Sequence, residues 1–232
     1  MFDQAKRRLI ACKRVSLFVG LLILSLLSSV QAARADELAI WNFNDSDLLV
    51  DHGTGTLSTN FNPLNVLFAA GTLTNARQGD LAGQALSLQG GTGNANNGRN
   101  LTFNVSTVGF TGITVSFATQ GTATGFTSNQ FQYSLDGVTF VDFNSPYVPP
   151  AAFGSAAIIF TLASIAGLDN NPNAAFRIVF NGATSATGNN RIDNFVVGGA
   201  NTTVPEPNSI LLLSSGLGAL FMLYRRTAPL RE

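Results

Sequence analysis

Apolar and polar residues alternate along several segments in the middle of the chain. In residues 101–105 and 113–117 every second side chain is apolar and polar side chains stand between them, and residues 176–180 repeat the apolar positions with Arg177 between the first two. A period of two is typical of antiparallel strands that bury one face against a core. Four further short segments are also predicted as strands: 38–43, 85–89, 158–162 and 191–197.

Residues 131–143 predict a β-hairpin. Asp136-Gly137 stands between two segments rich in apolar residues, and this pair suits a two-residue type I′ turn. Such a turn would place Leu135 opposite Val138 and Tyr133 opposite Phe140.

The predicted strands are separated by segments rich in Gly, Asn and Thr, and residues 36–200 show no useful helical period. About nine short strands of this kind predict an all-β protein, an antiparallel β-sandwich of the jelly-roll-like type. The first strand, with Trp41, and the last, with Asp193, are expected to be neighbours.

Two apolar runs flank this region, and the first has the form of a secretory signal peptide. Basic residues precede an apolar stretch at 15–27, and Ala33-Arg34-Ala35 follows as an A-x-A site. We expect signal peptidase to cleave before Asp36 after passage through the export translocon. The alternative is an uncleaved anchor, for which the apolar stretch is short.

The second run, residues 209–224, contains no charge and is followed by Arg225-Arg226. As a helix it would rise about 24 Å, and a snorkelling arginine could extend it toward the hydrocarbon thickness of about 30 Å. It is predicted to be a transmembrane helix with residues 225–232 as a basic cytoplasmic tail. A buried helix of a globular core is the alternative.

Val204-Pro205-Glu206-Pro207 lies within a short linker, residues 201–208, just before this run. The two prolines favour an extended backbone, as a processing enzyme requires of its substrate. Together with the apolar run and the arginine pair, the segment resembles the PEP-CTERM sorting signal of Gram-negative and cyanobacterial envelope proteins. The resemblance implies recognition by an exosortase, cleavage near the motif and transfer to the cell surface or release. In such proteins the signal is often tied to exopolysaccharide production.

The central region, residues 36–200, has the length of one domain. The one cysteine of the chain, Cys12, lies in the predicted signal peptide, so disulfides are excluded from the domain. Residues 36–204 contain four arginines and no lysine against ten acidic residues, a net charge of −6. This charge argues against nucleic acid as a partner and is compatible with calcium or neutral glycans.

Little in the domain indicates catalysis. His52 is the only histidine, and no nucleophile-elbow, zinc-protease or phosphate-binding motif is present. A hydrolase would need two well-placed carboxylates, for which Asp45 and Asp47 are the weak candidates. We therefore expect a protein that is not an enzyme.

A structural calcium is a further expectation. Asn44, Asp45 and Asp47 follow the first predicted strand, Asp193 lies in the last, and oxygen ligands suit this ion. The strand pattern is similar to that of carbohydrate-binding and laminin-G-like sandwiches, and the resemblance implies a calcium where the first and last strands meet. Solvated turn residues and caps are the alternative.

Aromatic side chains beside amides predict a glycan site at Tyr147, Trp41 and Tyr133. Tyr147 stands in a proline-rich loop and is expected to be exposed, whereas core packing is the alternative for Trp41 and Tyr133. The sequence favours an exported surface or matrix protein with a structural or adhesive role. A glycan-binding module with calcium is the alternative, and a glycan hydrolase is a weaker one.

Overall fold

Two antiparallel sheets pack face to face in the computed structural model, which describes residues 36–202. The predicted signal peptide, PEP-CTERM segment, transmembrane helix and basic tail lie outside these residues. Within them, no helix is long and apolar enough to cross a membrane. The strands of this range are β1 (Asp36–Trp41), β2 (His52–Gly53), β3 (Thr56–Thr59), β4 (Val66–Ala70), β5 (Gln84–Gln89), β6 (Arg99–Asn104), β7 (Phe110–Gly121), β8 (Ser128–Ser134), β9 (Phe140–Asp142), β10 (Ile158–Thr161), β11 (Ala175–Asn181) and β12 (Asn189–Asn201).

The larger sheet has seven strands and is organised around the long strand β12. Along one side β12 pairs with β7, and along the other it pairs first with β5 and then with β1. Strands β10, β2 and β4 extend the sheet from β7, β1 and β5 respectively. The pairing of β1 with β12 confirms that the first and last strands are neighbours.

The smaller sheet has five strands in the order β3-β6-β11-β8-β9, with β11 at its centre. Its inner face meets the larger sheet through aromatic rings. Phe103 of β6 stacks on Phe195 of β12 at 3.5 Å between ring centroids, and Phe131 of β8 stacks on Phe160 of β10 at 4.0 Å. The all-β sandwich is therefore confirmed, and a core rich in phenylalanine joins its sheets.

A bulge in β12 marks the point where its partner changes from β5 to β1. The register shifts after Asp193, and Asn194 has a φ of 49°. Both residues are buried and hold the loop after β4. The Asp193 carboxylate accepts the backbone N–H groups of Thr72 and Asn194, at 2.7 and 2.9 Å, and the Asn194 amide donates to the Thr72 and Thr74 carbonyls.

The hairpin of β8 and β9 exists, but its predicted register is wrong. Ser134 pairs with Phe140, and Tyr133 lies opposite Val141, so five residues connect the strands. The Asp136 side chain explains the difference, because its Oδ1 accepts the backbone N–H groups of Val138 and Thr139 at 2.8 and 2.7 Å. These bonds stabilise a wider turn than the two-residue loop.

Candidate functional site

A row of polar side chains crosses the outer face of the five-stranded sheet. Each strand contributes one member to a continuous series of cross-strand pairs: Ser58, Thr102, Arg177, Gln132 and Asp142. Directly paired residues share one face of a sheet. The three central members, Thr102, Arg177 and Gln132, alternate along their strands with core residues, so the row lies on the solvent side. We call it the polar row.

Hydrogen bonds between neighbouring members fix the side chains of the polar row. Arg177 Nε donates to Thr102 Oγ1 at 3.0 Å, and Gln132 Nε2 donates to Asp142 Oδ1 at 2.8 Å. Thr102 Oγ1 in turn donates to Asn100 Oδ1 at 3.1 Å. Because the donors and acceptors are already positioned, a ligand would lose less side-chain entropy here than on a surface of free side chains.

An aromatic ring lies beside the polar row. Phe140 of β9 is half-buried, and the Arg177 guanidinium carbon is 3.3 Å from the centroid of its ring. A cation over an aromatic face is attracted by the ring quadrupole. The contact therefore holds the guanidinium against the Phe140 ring, across the intervening strand β8.

An open pocket of about 360 Å³ lies at the end of the same sheet, where β6 ends and β11 begins. Asn104 Nδ2 donates to Thr56 Oγ1 at 3.3 Å on its wall. At its rim, the N–H groups of Thr139 and Val138 hold the pKa of Asp136 well below its usual range, so this carboxylate is charged. The pocket is lined by Gly55, Thr56, Asn104, Val105, Ser106, Asp136, Gly137, Pro172, Asn173 and Ala174.

Trp41 supports this pocket from below. A Cβ atom on Gly55 would lie 2.7 Å from Cη2 of Trp41, so the bare backbone of Gly55 is needed for the ring to pack there. The indole is fully buried and packs edge-on against Phe103, at 5.0 Å between ring centroids. Its predicted role as a direct glycan contact is therefore wrong, because the core takes the whole ring.

Tyr147 and Tyr133 also turn toward the core. The Tyr147 hydroxyl is buried without a hydrogen-bond partner in residues 36–202, and burial strongly raises its pKa. The prediction that Tyr147 is exposed is wrong, because its ring packs near Phe117 and Phe160. Tyr133 is half-buried and points to the inner side of β8, with its ring 6.3 Å from that of Phe143.

The predicted calcium ligands are used separately. Asn44 Oδ1 accepts the Gln84 N–H at 2.9 Å, Asp47 Oδ1 accepts the Leu49 N–H at 2.8 Å, and Asp45 is exposed. Asp193 is engaged at the bulge of β12. In residues 36–202 no three acidic, His or Cys side chains form a metal-binding group, so Asp45, Asp47 and Asp193 are not a shared ligand set. Calcium binding itself stays a prediction.

His52 belongs to a different polar cluster on the edge strand β2 of the larger sheet. Its Nδ1 lies 3.1 Å from an Arg77 nitrogen, and its Nε2 lies 3.8 Å from an Asp80 oxygen. Arg77 also pairs with Glu37 at 3.2 Å. The cluster links the edge strand β2 to the loop that contains Arg77 and Asp80. In the described part of the chain no hydroxyl group hydrogen-bonds to the imidazole.

Sequence reasoning missed the polar row, although its signal was present. Thr102 and Arg177 are the polar positions of two alternating strands, whose apolar positions predicted the core. Alternation shows that such residues face outward. Only the strand order β3-β6-β11-β8-β9 shows that they stand side by side, because no two neighbours in this order are consecutive in the chain except β8 and β9.

The C-terminal segment matches a known protein-sorting motif. Residues 203–226 match the model described as the PEP-CTERM protein-sorting motif. The chain therefore carries this motif, which implies export, a membrane-anchored intermediate and processing by an exosortase. No curated protein sequence matches the chain.

Solved structures similar to the sandwich include several carbohydrate-binding modules. One is TmCBM61 in complex with β-1,4-galactotriose, with 12% identity, a TM-score of 0.40 and coverage of 67% of this chain and 92% of that one. The CBM22-1 xylan-binding domain of Paenibacillus barcinonensis Xyn10C has 13% identity and a TM-score of 0.42, and the match covers 73% of this chain and 98% of that one. A third is domain 4 of AbnA, a GH43 extracellular arabinanase from Geobacillus stearothermophilus, in complex with arabinotriose. It has 14% identity and a TM-score of 0.43, and the match covers 73% of this chain and 95% of that one.

Proposed function

We propose that the domain is a non-catalytic glycan-binding module and that it acts as an adhesive component of the cell surface or extracellular matrix. The observation that carries this proposal is the polar row, in which hydroxyl, guanidinium, amide and carboxylate groups from five strands share one face. Sugar hydroxyls both donate and accept hydrogen bonds, so a face that offers both kinds of group in fixed positions suits them.

The dimensions of the face favour an oligosaccharide over a single sugar. Four strand spacings separate β3 from β9, which is about 19 Å at the usual distance between strands. An extended glycan lying across the strands would meet the polar row along its length. The pocket beside Thr56 and Asn104 offers a deeper position at one end of the face.

The sorting motif suits this role because it directs the module to where glycans are. A chain held at the membrane and then released or transferred by exosortase would present the five-stranded sheet to exopolysaccharide. Binding a matrix polymer would give the adhesive function a molecular basis. The main alternative is a purely structural envelope protein, which would bind no glycan at this face.

The test is glycan binding by the full-length chain, purified in detergent and applied to an array of oligosaccharides and polysaccharides. We expect at least one glycan to bind. Gln132→Leu should weaken that binding about fivefold or more, because the loss of one good hydrogen bond is worth about 1 kcal/mol. Gln78→Leu is the matched control, since Gln78 is exposed in a loop on the other side of the fold. A blank array, or equal effects of the two variants, would support the purely structural alternative.

A further inference from the structure

Arg177 occupies the centre of the polar row. It lies on β11, the middle strand of the five, and is flanked by Thr102 on one side and Gln132 on the other. Any ligand that crosses the face along the row must pass this residue. The charge of Arg177 is therefore the electrostatic feature that the ligand meets at the midpoint of the sheet.

The guanidinium is held in place but its charge is not neutralised. Nε is bonded to Thr102, and the Phe140 ring covers one side of the plane. Within residues 36–202 the two terminal nitrogens have no hydrogen-bond partner, and Arg177 forms no ion pair. Asp142, the acidic member of the row, is bonded to Gln132 instead.

The other arginines of the described region differ from Arg177. Arg77 pairs with Glu37, Arg191 donates to the Ala70 carbonyl, and Arg99 is exposed at the start of β6. Arg177 is half-buried, and burial lowers its pKa, which shows that its charge has lost part of its hydration. A carboxylate would compensate this loss, and a guanidinium with two free terminal nitrogens can bind a carboxylate through two parallel hydrogen bonds.

We propose that the ligand of this face is an acidic glycan containing hexuronic acid, and that Arg177 pairs with a uronate carboxylate while the rest of the row binds hydroxyl groups. This inference rests on the proposed glycan-binding function and adds the chemical class of the ligand. The amide and hydroxyl groups of Gln132, Ser58 and Thr102 are neutral, and Asp142 is acidic. The best match is therefore a glycan with one uronate, placed at Arg177, and otherwise neutral sugars.

The acidic domain limits how much charge the ligand can carry. With a net charge of −6 over residues 36–204, the long-range field repels a densely charged polyanion. Salt screens this repulsion more than it screens a partly buried ion pair. Binding through Arg177 should therefore persist or strengthen slightly between low and physiological ionic strength.

The test compares a xylo-oligosaccharide that carries a single glucuronic acid with the methyl ester of the same oligosaccharide, which has the same sugar skeleton without the charge. Isothermal titration of the full-length chain in detergent should show about tenfold tighter binding of the acid form. Arg177→Gln should abolish this preference, and Arg177→Lys should lower it because an ammonium cannot form the two parallel bonds. Arg99→Gln removes the same charge from the exposed start of β6 in the same sheet and should leave the preference unchanged.

Three results would overturn the inference. They are equal binding of acid and ester by the unmodified chain, retention of the preference in Arg177→Gln, and loss of the preference in Arg99→Gln. The first comparison needs no variant, so it stands even if Arg177→Gln does not fold. If neutral glycans bind and Gln132→Leu weakens them without any acid preference, the glycan-binding function holds and the uronate assignment fails. If no glycan of either kind binds, both fail.

Discussion

Trp41 shows that residue type alone does not separate a sugar-binding aromatic from a core aromatic. Its strand contains no clear polar alternation, because residues 38–41 are apolar and all buried. Tyr147 shows the opposite case, in which the side chain of a proline-rich loop is half-buried against the core and its hydroxyl is buried. Arg177, by contrast, stands at a polar position of an alternating strand, and its outward direction follows directly from the period of two.

Replacing Trp41 tests its place in the core. Trp41→Ala should lower the free energy of unfolding by about 3–5 kcal/mol, because it removes a large fully buried ring, and Trp41→Phe should cost less. Leu64→Ala, at a side chain that is 82% exposed, is the control and should change it by less than about 0.5 kcal/mol. Denaturant unfolding followed by circular dichroism measures all three, and a small effect of Trp41→Ala would contradict this packing.

Asp193 makes the stability of the domain depend on pH. Burial raises the pKa of Asp193 from 3.8 to about 7, against the opposing effect of the Thr72 and Asn194 N–H groups. The folded state therefore holds a proton that the unfolded state releases. Stability should be greatest near pH 4, fall as the pH rises toward 7 and level off above it. The raised pKa of Asp51, also caused by burial, acts in the same direction.

Urea unfolding at several pH values between 4 and 8 measures this slope. Asp193→Asn should flatten the slope and lower stability at every pH, because an amide nitrogen cannot accept the N–H that one carboxylate oxygen now binds. A stability that stays constant or rises from pH 4 to 7 in the unmodified protein would contradict the raised pKa of Asp193.

At the scale of elements, the hairpin of β8 and β9 shows that an Asp-Gly pair predicts the position of a turn but not the register of the two strands. Asp-Gly correctly marks the reversal between β8 and β9. The register depends on the side chain of Asp136, which bonds to Ser134, Val138 and Thr139 and widens the turn. A shift of one residue exchanges the two faces of a strand, so this turn decides that Phe140 lies on the outer face beside Arg177.

Asp136→Ala tests that role of the turn. It should lower the thermal midpoint of unfolding, since Val138 and Thr139 lose their acceptor, while Asp136→Asn should retain more of the stability. In a nuclear magnetic resonance experiment, contacts between the backbones of Ser134 and Phe140 should weaken in the alanine variant. Unchanged contacts together with an unchanged midpoint would show that the ladder alone sets the register.

Short strands were the elements that sequence reasoning did not identify. Strands β2, β3 and β4 have two, four and five residues, and none shows a clear alternation of apolar and polar side chains. Each lies at the edge of a sheet, where one neighbour is enough and the sequence is less constrained. The longer strands β7, β11 and β12 are central, and their cores were predicted correctly.

At the scale of the whole molecule, the chain combines an acidic sandwich with a sorting motif. The motif at residues 203–226 implies that the domain is made as a membrane-anchored intermediate and then processed. The domain contributes a face that does not depend on the motif. Sorting and glycan binding can therefore be separated experimentally.

Cells with and without the exosortase provide the test of sorting. Without the enzyme, the chain should stay at full length in the membrane fraction, because the segment after the Pro-Glu-Pro motif is not removed. Replacing Glu206 and Pro207 by alanine should have the same effect, and Arg231→Ala, beyond the matched motif, is the control. Immunoblots of membrane, surface and medium fractions measure the size and location of the chain. An unchanged size and location without the exosortase would contradict processing.

The sequence by itself determined the fold class and the sorting signal of this protein. Alternation is a local property of each strand, and the sorting motif is a local string of residues, so both can be recognised without long-range information. The pairing of first and last strands was also predicted. Tertiary structure decided which outward residues become neighbours, because strands far apart in the chain meet in the five-stranded sheet. It also decided that Trp41 is buried, that Tyr147 is half-buried against the core, and that Arg177, with its unpaired charge, stands at the centre of an ordered polar face.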